Sequence, residues 1–406
     1  MRWMHRVRLY PTHSQQARLW FMLHVTRRLY NAALQQRRDA WKSRGITVTG
    51  KLQYAELTAL RAEDPGLASV FRECEDAVLH RLDLAMAAFF RRIKRGEAPG
   101  YPRFKPATRW KQLEFPHGNR ALKFNDEQTK VRLPGVGSVR LRKGREVPAF
   151  GRAFVVEKNG RWYAVFECRR EPNALEKTGR TIGVDRGVHV LAATSEGVLI
   201  PSGAFAERHR RIIRGHQRAL EGITIKDARG RCLNRRAPGR QASVRRLARA
   251  KEREANARLD ALHKAARRLV DRADVIALEA LDVRSMTRSA KGTPERPGRN
   301  VRAKSGLNRV LLDAGFGILR RLIGEKAENA VRRVVDVDAR YSSQTCGRCL
   351  HVSAESRRRR RFCCVSCGWS NHADVAAALE IRRRAELRPM SGLSSGSTRL
   401  TSQDAA

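Results

Sequence analysis

A chain of 406 residues, 41% of them hydrophobic, can bury the cores of two or three domains, and its 84 Lys and Arg against 40 Asp and Glu leave a formal charge of +44. That excess excludes an ordinary small-molecule enzyme and calls for a polyanionic partner. Nucleic acid is favoured over an anionic membrane surface, because no apolar run nears the roughly 20 residues that span a bilayer. The N-terminal MRWMHRVRLYP lacks a signal peptide's apolar core. The expected location is therefore intracellular, where thiols stay reduced. Five of the eight cysteines lie between Cys346 and Cys367, so metal binding is expected there, while Cys74, Cys168 and Cys232 are scattered and read as inert.

In chain order, WMHRVRLY (residues 3–10) reads as a strand ended by Pro11. Thr12 with Gln15 forms a capping box that opens a helix. Helical patterning runs through three segments to about Ile93, so residues 11–95 read as a helical insertion. The stretch AVLHRLDLAMAAFFRRIKRGEAPGYPRFK then passes from an amphipathic helix into a Gly/Pro turn with basic and aromatic residues. Between 110 and 170, KVRLPGVGSVRLR and AFVVEKNGRWYAVFECRR alternate and carry glycine turns, which predicts antiparallel strands forming a small barrel.

From Thr181, TIGVDRGVHVLAATSEGVLI reads as three short strands with turns at Arg186-Gly187 and Glu196-Gly197. A helical stretch over 204–270, broken at 222–243, carries 20 Lys/Arg and five acids between Arg208 and Arg268. Such a four-to-one excess repels itself unless a phosphate backbone supplies counter-charge, although a solvated helix face is the bland alternative. The strand ADVIALEAL, a loop from Arg284 to Gly306, one helix over 307–330, the strand VRRVVDVD, the cysteine cluster and a final helix follow. The Ser/Gly-rich tail, 386–406, is expected to be disordered.

This order predicts a mixed sheet flanked by helices. Asp185 and Glu279 end apolar strands that would lie side by side, and Asp374 begins a helix that could pack over them. Each alone reads as a turn former or, for Asp374, a helix cap. Three carboxylates converging in a basic chain repel one another unless divalent cations bridge them. Mg²⁺ takes hard oxygen ligands, and two such ions can activate a water and stabilise the leaving oxygen of a phosphodiester. Asp336 and Asp338 end another strand and rank below Asp374, as structural residues.

Cys346 and Cys349, then Cys364 and Cys367, form CxxC…CxxC, a spacing that suits tetrahedral zinc. Redox chemistry suits a lone CxxC better than two. Cys363 is a fifth thiol, left out because it would make the second pair CxxxC. Five consecutive arginines, Arg357–Arg361, lie between the pairs and are read as phosphate contacts. The knuckle is inserted between the last strand and the final helix, where it would fix the position of Asp374.

These residues resemble the transposon-encoded TnpB family of RNA-guided DNA endonucleases, relatives of the type V CRISPR effectors. The resemblance covers nearly the whole chain. It rests on RLYPT, GYPRFK at 100–105, IGVDRG, ALEAL, LNRVLLDAGFGILRRLIGEKAE at 307–328, YSSQTCGRC, and FCCVSCG followed by HADVAAALEI. It implies a RuvC, RNase H-like α/β nuclease domain (176–340 and 371–385) with a zinc-binding insertion (341–370). It also implies a wedge β-barrel (1–10 and 96–175) interrupted by a helical recognition insertion (11–95). The nuclease acids fall on Asp185, Glu279 and Asp374, which would bind Mg²⁺, and the zinc ligands on Cys346, Cys349, Cys364 and Cys367. The implied protein is a Mg²⁺-dependent phosphodiester hydrolase, monomeric in a cytoplasmic, nucleoid-associated ribonucleoprotein. Its guide RNA comes from the transposon end, and it cuts double-stranded target DNA beside a short motif read by the N-terminal half. Ala376 and Glu380 depart from the family, which carries asparagines there. The alternatives are a nuclease-inactive guided repressor, a small type V effector, and a strand-joining transposase.

Overall fold

The computed structural model describes residues 1–387 apart from 143, 145 and 294. The expected tail lies almost wholly outside the described residues. The chain divides into two compact units, Met1–Arg170 and the part from Glu171 onward.

The first unit opens with β1 (Arg2–Tyr10) and α1 (His13–Arg44). The Thr12 hydroxyl accepts from the Gln15 N–H at 3.3 Å, and the Gln15 side chain accepts from the Thr12 N–H at 3.0 Å, which closes the expected capping box. Helices α2 (Gly50–Glu63), α3 (Pro65–Ala68) and α4 (Arg72–Lys94) follow. Leu19, Met22 and Leu34 of α1 join Leu79 and Leu82 of α4 in the core. After them come β2 (Gln112–Phe115), α5 (Gly118–Ala121), β3 (Lys123–Phe124), β4 (Lys130–Leu133), β5 (Gly137–Leu141), β6 (Phe150–Lys158) and β7 (Arg161–Arg169). The sheet is antiparallel, in the order β2-β6-β7-β1-β5-β4-β3. Among the described residues no ladder joins β2 to β3, so the expected barrel is a sheet curled on itself without backbone closure. Aromatic packing holds the curl: Phe124 on β3 meets Phe150 and Phe166 on β6 and β7, with ring centroids 6.0 and 5.6 Å apart.

The second unit begins with β8 (Thr181–Asp185), β9 (Val190–Thr194) and β10 (Leu199–Pro201). It continues through α6 (Phe205–Gly222), α7 (Pro238–Val270), β11 (Val275–Glu279), α8 (Val283–Met286), α9 (Val301–Ala314), α10 (Phe316–Asn329) and β12 (Arg333–Val337). A small antiparallel sheet of β13 (Arg357–Arg358), β14 (Arg361–Cys363) and β15 (Ser370–His372) precedes α11 (Ala373–Glu386). The main sheet has the order β10-β9-β8-β11-β12, with β8, β11 and β12 parallel and the other ladders antiparallel.

Alternation along the strands assigns two faces. Ile182, Val184, Ile276 and Leu278 meet α7 and α10 through Leu262, Ala266, Leu319 and Ile323. Ala277, Val335 and Val337 meet α11 through Ile381 and Ala385. The single helix expected over 307–330 is two helices, and the expected loop before it holds α8 and the start of α9. Gly315 causes the break: its φ is +67°, and a Cβ there would lie 3.0 Å from Leu262 Cδ1 of α7. Among the described residues, no helix is long and apolar enough to cross a membrane.

Candidate active site

Strands β8 and β11 pair in parallel as far as Val184 with Leu278. The next residues, Asp185 and Glu279, are neighbours at the carboxyl ends of the two strands and project to the same face. That face receives α11. Gly183, two residues before Asp185, lets the helix lie against the strand: a Cβ there would sit 2.5 Å from the Arg382 nitrogen and closer still to the Ala378 carbonyl oxygen. One turn before Ala378 stands Asp374. The helix is capped by the His372 side chain, which accepts from the Asp374 N–H at 3.3 Å. The capping role considered for Asp374 therefore belongs to His372, and the Asp374 carboxylate is free to accept from Arg357 Nη2 at 3.0 Å.

The three acids feel one another. Burial first, and then the charges of Glu279 and Asp374, push the Asp185 carboxyl up to about 7, against the opposing pull of Arg357 and Arg186. Burial also raises Glu279, although the Ser342 hydroxyl, which donates to Oε1 at 2.7 Å, and Arg186, Arg357 and Arg384 work the other way. Buried Arg186 donates to the carbonyls of Glu279 and Phe316 and so ties the end of β11 to the start of α10. The three carboxylates do not close into one tight cluster; among the described residues only four cysteines bring their ligand atoms within 4.8 Å of one another. The acids form an open set of hard oxygen donors, a set of the kind that takes divalent cations.

The rivals lie elsewhere. Asp336 is in register with Leu278, which puts it on the opposite face of the sheet from Glu279. Arg320 of α10 grips it with two hydrogen bonds of 2.8 and 2.7 Å. Asp338 accepts the Arg340 N–H at 3.0 Å. Neither joins the three acids.

In the knuckle, Cys346 and Cys367 sulfurs lie 3.7 Å apart and Cys349 and Cys364 sulfurs 3.5 Å apart. A tetrahedral zinc with Zn–S bonds of about 2.3 Å has sulfur–sulfur edges near 3.8 Å, so the four thiols could hold that ion. The Cys367 N–H brings the Cys364 thiol down to about 6. The Trp369 N–H lowers Cys367, yet desolvation and the neighbouring thiols carry it up to about 12. Thiols this close resist sharing more than one charge unless a cation joins them. Cys363 is exposed and outside the group. Ala376 packs beneath the knuckle with Cys346, Phe362, Cys364 and Ala373. Glu380 is buried and held by Arg383 and Arg384; burial opposes its ionisation, but those hydrogen bonds outweigh it and keep its carboxyl below the usual range. Arg384 also donates to the carbonyls of Asp338 and Arg340 at 2.8 and 2.7 Å, which pins the knuckle's entry to α11.

Sequence reasoning missed Ser342, Arg357 and Gly183 as parts of this centre. Ser342 stood in the quoted YSSQTCGRC without a role, and Arg357 was hidden in its arginine run.

In fold, the protein is like a compact RNA-guided nuclease. The mini-RNA-guided endonuclease CRISPR-Cas_phi3 superposes with a TM-score of 0.51 over 97% of this chain and 94% of that one, at 9% identity, a likeness of fold alone. The chain belongs to the transposon-encoded TnpB family. It is 31% identical over 307 residues, 75% of its length and 72% of the relative's, to "Putative RNA-guided DNA endonuclease InsQ" of Escherichia coli (strain K12). It is 26% identical over 383 residues, 93% of its length and 87% of the relative's, to a "Putative RNA-guided DNA endonuclease" of Streptomyces pristinaespiralis. Three family descriptions match parts of it: "Helix-turn-helix domain" at 1–45, "Probable transposase" at 163–290 and "Cas12f1-like, TNB domain" at 316–381. Residues 1–45 hold one strand and one continuous helix of 32 residues, so this chain has no helix-turn-helix there.

Proposed function

We propose that the protein is an RNA-guided, Mg²⁺-dependent DNA endonuclease of the RuvC type whose centre is Asp185, Glu279 and Asp374. The observation that carries this reading is the convergence of three acids from two adjacent strand ends and one helix start in a chain of formal charge +44. Placing mutually repelling carboxylates there costs stability unless cations bind, and the main sheet's strand order suits an RNase H-like nuclease.

When bound, Mg²⁺ would supply an activated water and charge stabilisation at the scissile phosphate. The chain's residues do the rest. Asp185, Glu279 and Asp374 present the oxygen ligands. Ser342 holds the Glu279 carboxylate in one orientation, and Arg186 fixes the backbone beneath it. The zinc knuckle, with Cys346, Cys349, Cys364 and Cys367 as ligands, sets where α11 begins. The basic surface of α6 and α7 would hold a heteroduplex by its backbone while guide pairing supplies sequence specificity. The curled sheet and the helices of the first unit are the proposed wedge and recognition parts, which would read the motif beside the target.

Single substitutions Asp185→Ala, Glu279→Ala and Asp374→Ala test this reading. Each should lower cleavage more than about a hundredfold, since even outer-shell partners of metal ligands cost 10–100-fold, while guide-dependent DNA binding persists. Near wild-type cutting in Mg²⁺ by any two of them would overturn the assignment.

A further inference from the structure

Of the five consecutive arginines, one turns inward. Arg357 is in register with Phe362 across the β13–β14 ladder, and paired residues in such a ladder project to the same face. Phe362 is fully buried against Trp369, Cys346, Cys364 and Ala373. Arg357 is half-buried with it, whereas Arg358, Arg359, Arg360 and Arg361 are exposed. Ser356, immediately before Arg357, is buried, and its hydroxyl accepts the Val365 N–H at 3.3 Å, so the knuckle anchors the backbone from which Arg357 reaches out. Its guanidinium then meets Asp374 Oδ1 at 3.0 Å, with side-chain exposures of only 32% and 17% for the pair.

We propose that Arg357 is a positioning residue, a resident counter-ion that holds the Asp374 carboxylate until a divalent cation displaces it. The inference rests on the three-acid reading and adds to it an exchange: Asp374 trades one cation for another. The arrangement follows from charge. Three acids without counter-charge would drive one another apart, and Arg357 occupies one of them, which keeps the helix start and its carboxylate in place. The same guanidinium repels an incoming cation and so weakens metal binding. Its tether to the zinc knuckle makes this restraint part of the fold rather than a chance surface contact. The other four arginines stay turned to solvent.

The test is Mn²⁺ binding, followed by electron paramagnetic resonance, to the full-length zinc-loaded chain freed of nucleic acid. A unit charge near a divalent ion in a water-like dielectric changes affinity by about tenfold. Arg357→Ala should therefore bind Mn²⁺ about tenfold more tightly than wild type, and Arg357→Lys, which keeps the charge, should stay within about threefold of wild type on the same Coulomb argument. A merely structural arginine would leave affinity unchanged or lower it when removed. Zinc content, measured in each variant, reports an intact knuckle; if Arg357→Ala loses zinc, Arg357→Gln, neutral and of similar reach, gives the reading. Unchanged or weaker Mn²⁺ binding in a zinc-replete neutral variant overturns the proposal. Asp374→Ala separates the two levels of the argument. If it abolishes Mn²⁺ binding while loss of Arg357 does not strengthen it, only the counter-ion role fails. If Asp374→Ala and Asp185→Ala both bind Mn²⁺ like wild type, the three-acid reading fails with it.

Discussion

Replacing Gly183 by alanine adds one methyl group at the point where α11 crosses β8. The new Cβ would lie 2.5 Å from the Arg382 nitrogen and closer still to the Ala378 carbonyl oxygen, so restoring an ordinary separation of 3.4 Å requires α11 to move by more than about 1 Å. The obstacle is backbone, so no rotamer change relieves it. Overpacking of this kind costs about 1–3 kcal/mol, offset by the 0.4–1 kcal/mol or so that a Gly→Ala change recovers from the unfolded chain. The net cost is up to about 2.6 kcal/mol, and with about 2–4 °C lost per kcal/mol in a unit of this size the melting temperature should fall by up to about 10 °C. The larger effect is on the centre. A catalytic constellation tolerates about 0.5 Å of error, and Asp374 sits one turn from the clash. Single-turnover cleavage at saturating guide and target should drop at least tenfold, while guide-dependent DNA binding is kept. Gly215→Ala is the control: nothing lies within 4 Å of its Cβ position in α6, so it should stabilise by about 0.5–1 kcal/mol. A Gly183→Ala protein that melts and cuts like wild type would refute the argument that this close approach positions Asp374.

Asp185 has a folded value near 7 against 3.8 for the unfolded chain. Its contribution to metal-free stability is therefore fully present below pH 3.8 and lost as pH rises through 7. Asp185→Asn should stabilise the metal-free protein by on the order of 4 kcal/mol at pH 8 and hardly at all at pH 4; equal unfolding midpoints at pH 8 would contradict this. Ser342→Ala removes a hydrogen bond that lowers the Glu279 carboxyl, so the pH profile of cleavage should shift upward, and an unmoved profile would show that Ser342 does not tune Glu279. The Cys346→Ser, Cys364→Ser double variant should contain no zinc by metal analysis and lose cleavage while the first unit stays folded and RNA is retained; a zinc-free protein with full activity would uncouple the knuckle from Asp374. RNA binding should weaken by about 10³ or more between 50 and 200 mM salt for 6–10 phosphate contacts, and a nearly flat response would remove the stretch from Arg208 to Arg268 from the nucleic-acid surface.

Local rules carried the sequence reading where local chemistry decides the outcome. Thr12 with Gln15, the alternation along β6 and β7, and the paired CxxC spacings each specify their own geometry within a few residues. The side-by-side placement of Asp185 and Glu279 was legible too, since both end short apolar runs whose order with the helices predicts a mixed sheet. Contacts made across the fold were not legible. Gly315, left-handed at φ +67°, breaks a continuous helical pattern beside a leucine of another helix, and Gly183 matters because of a helix almost 200 residues later. Nothing in five identical arginines marks the one that turns inward; ladder register with Phe362 decides it. The family's asparagine positions, Ala376 and Glu380, looked like losses in the sequence. In the fold the first packs beneath the knuckle and the second holds two arginines at the helix's docking point.

The docking of α11 also sets an order of events during synthesis. Asp185 and Glu279 leave the ribosome while the knuckle and α11 are still untranslated, and β8 cannot be covered on that face until Ala378 and Arg382 arrive. A chain interrupted before residue 357 can complete its first unit and most of the basic helices, but it holds two acids with no third and no counter-ion from Arg357. Such a fragment keeps the surfaces suited to gripping nucleic acid without the assembled centre. If the chain is the nuclease proposed above, its ability to hold nucleic acid matures before its ability to cut, and completion of the last helix separates the two.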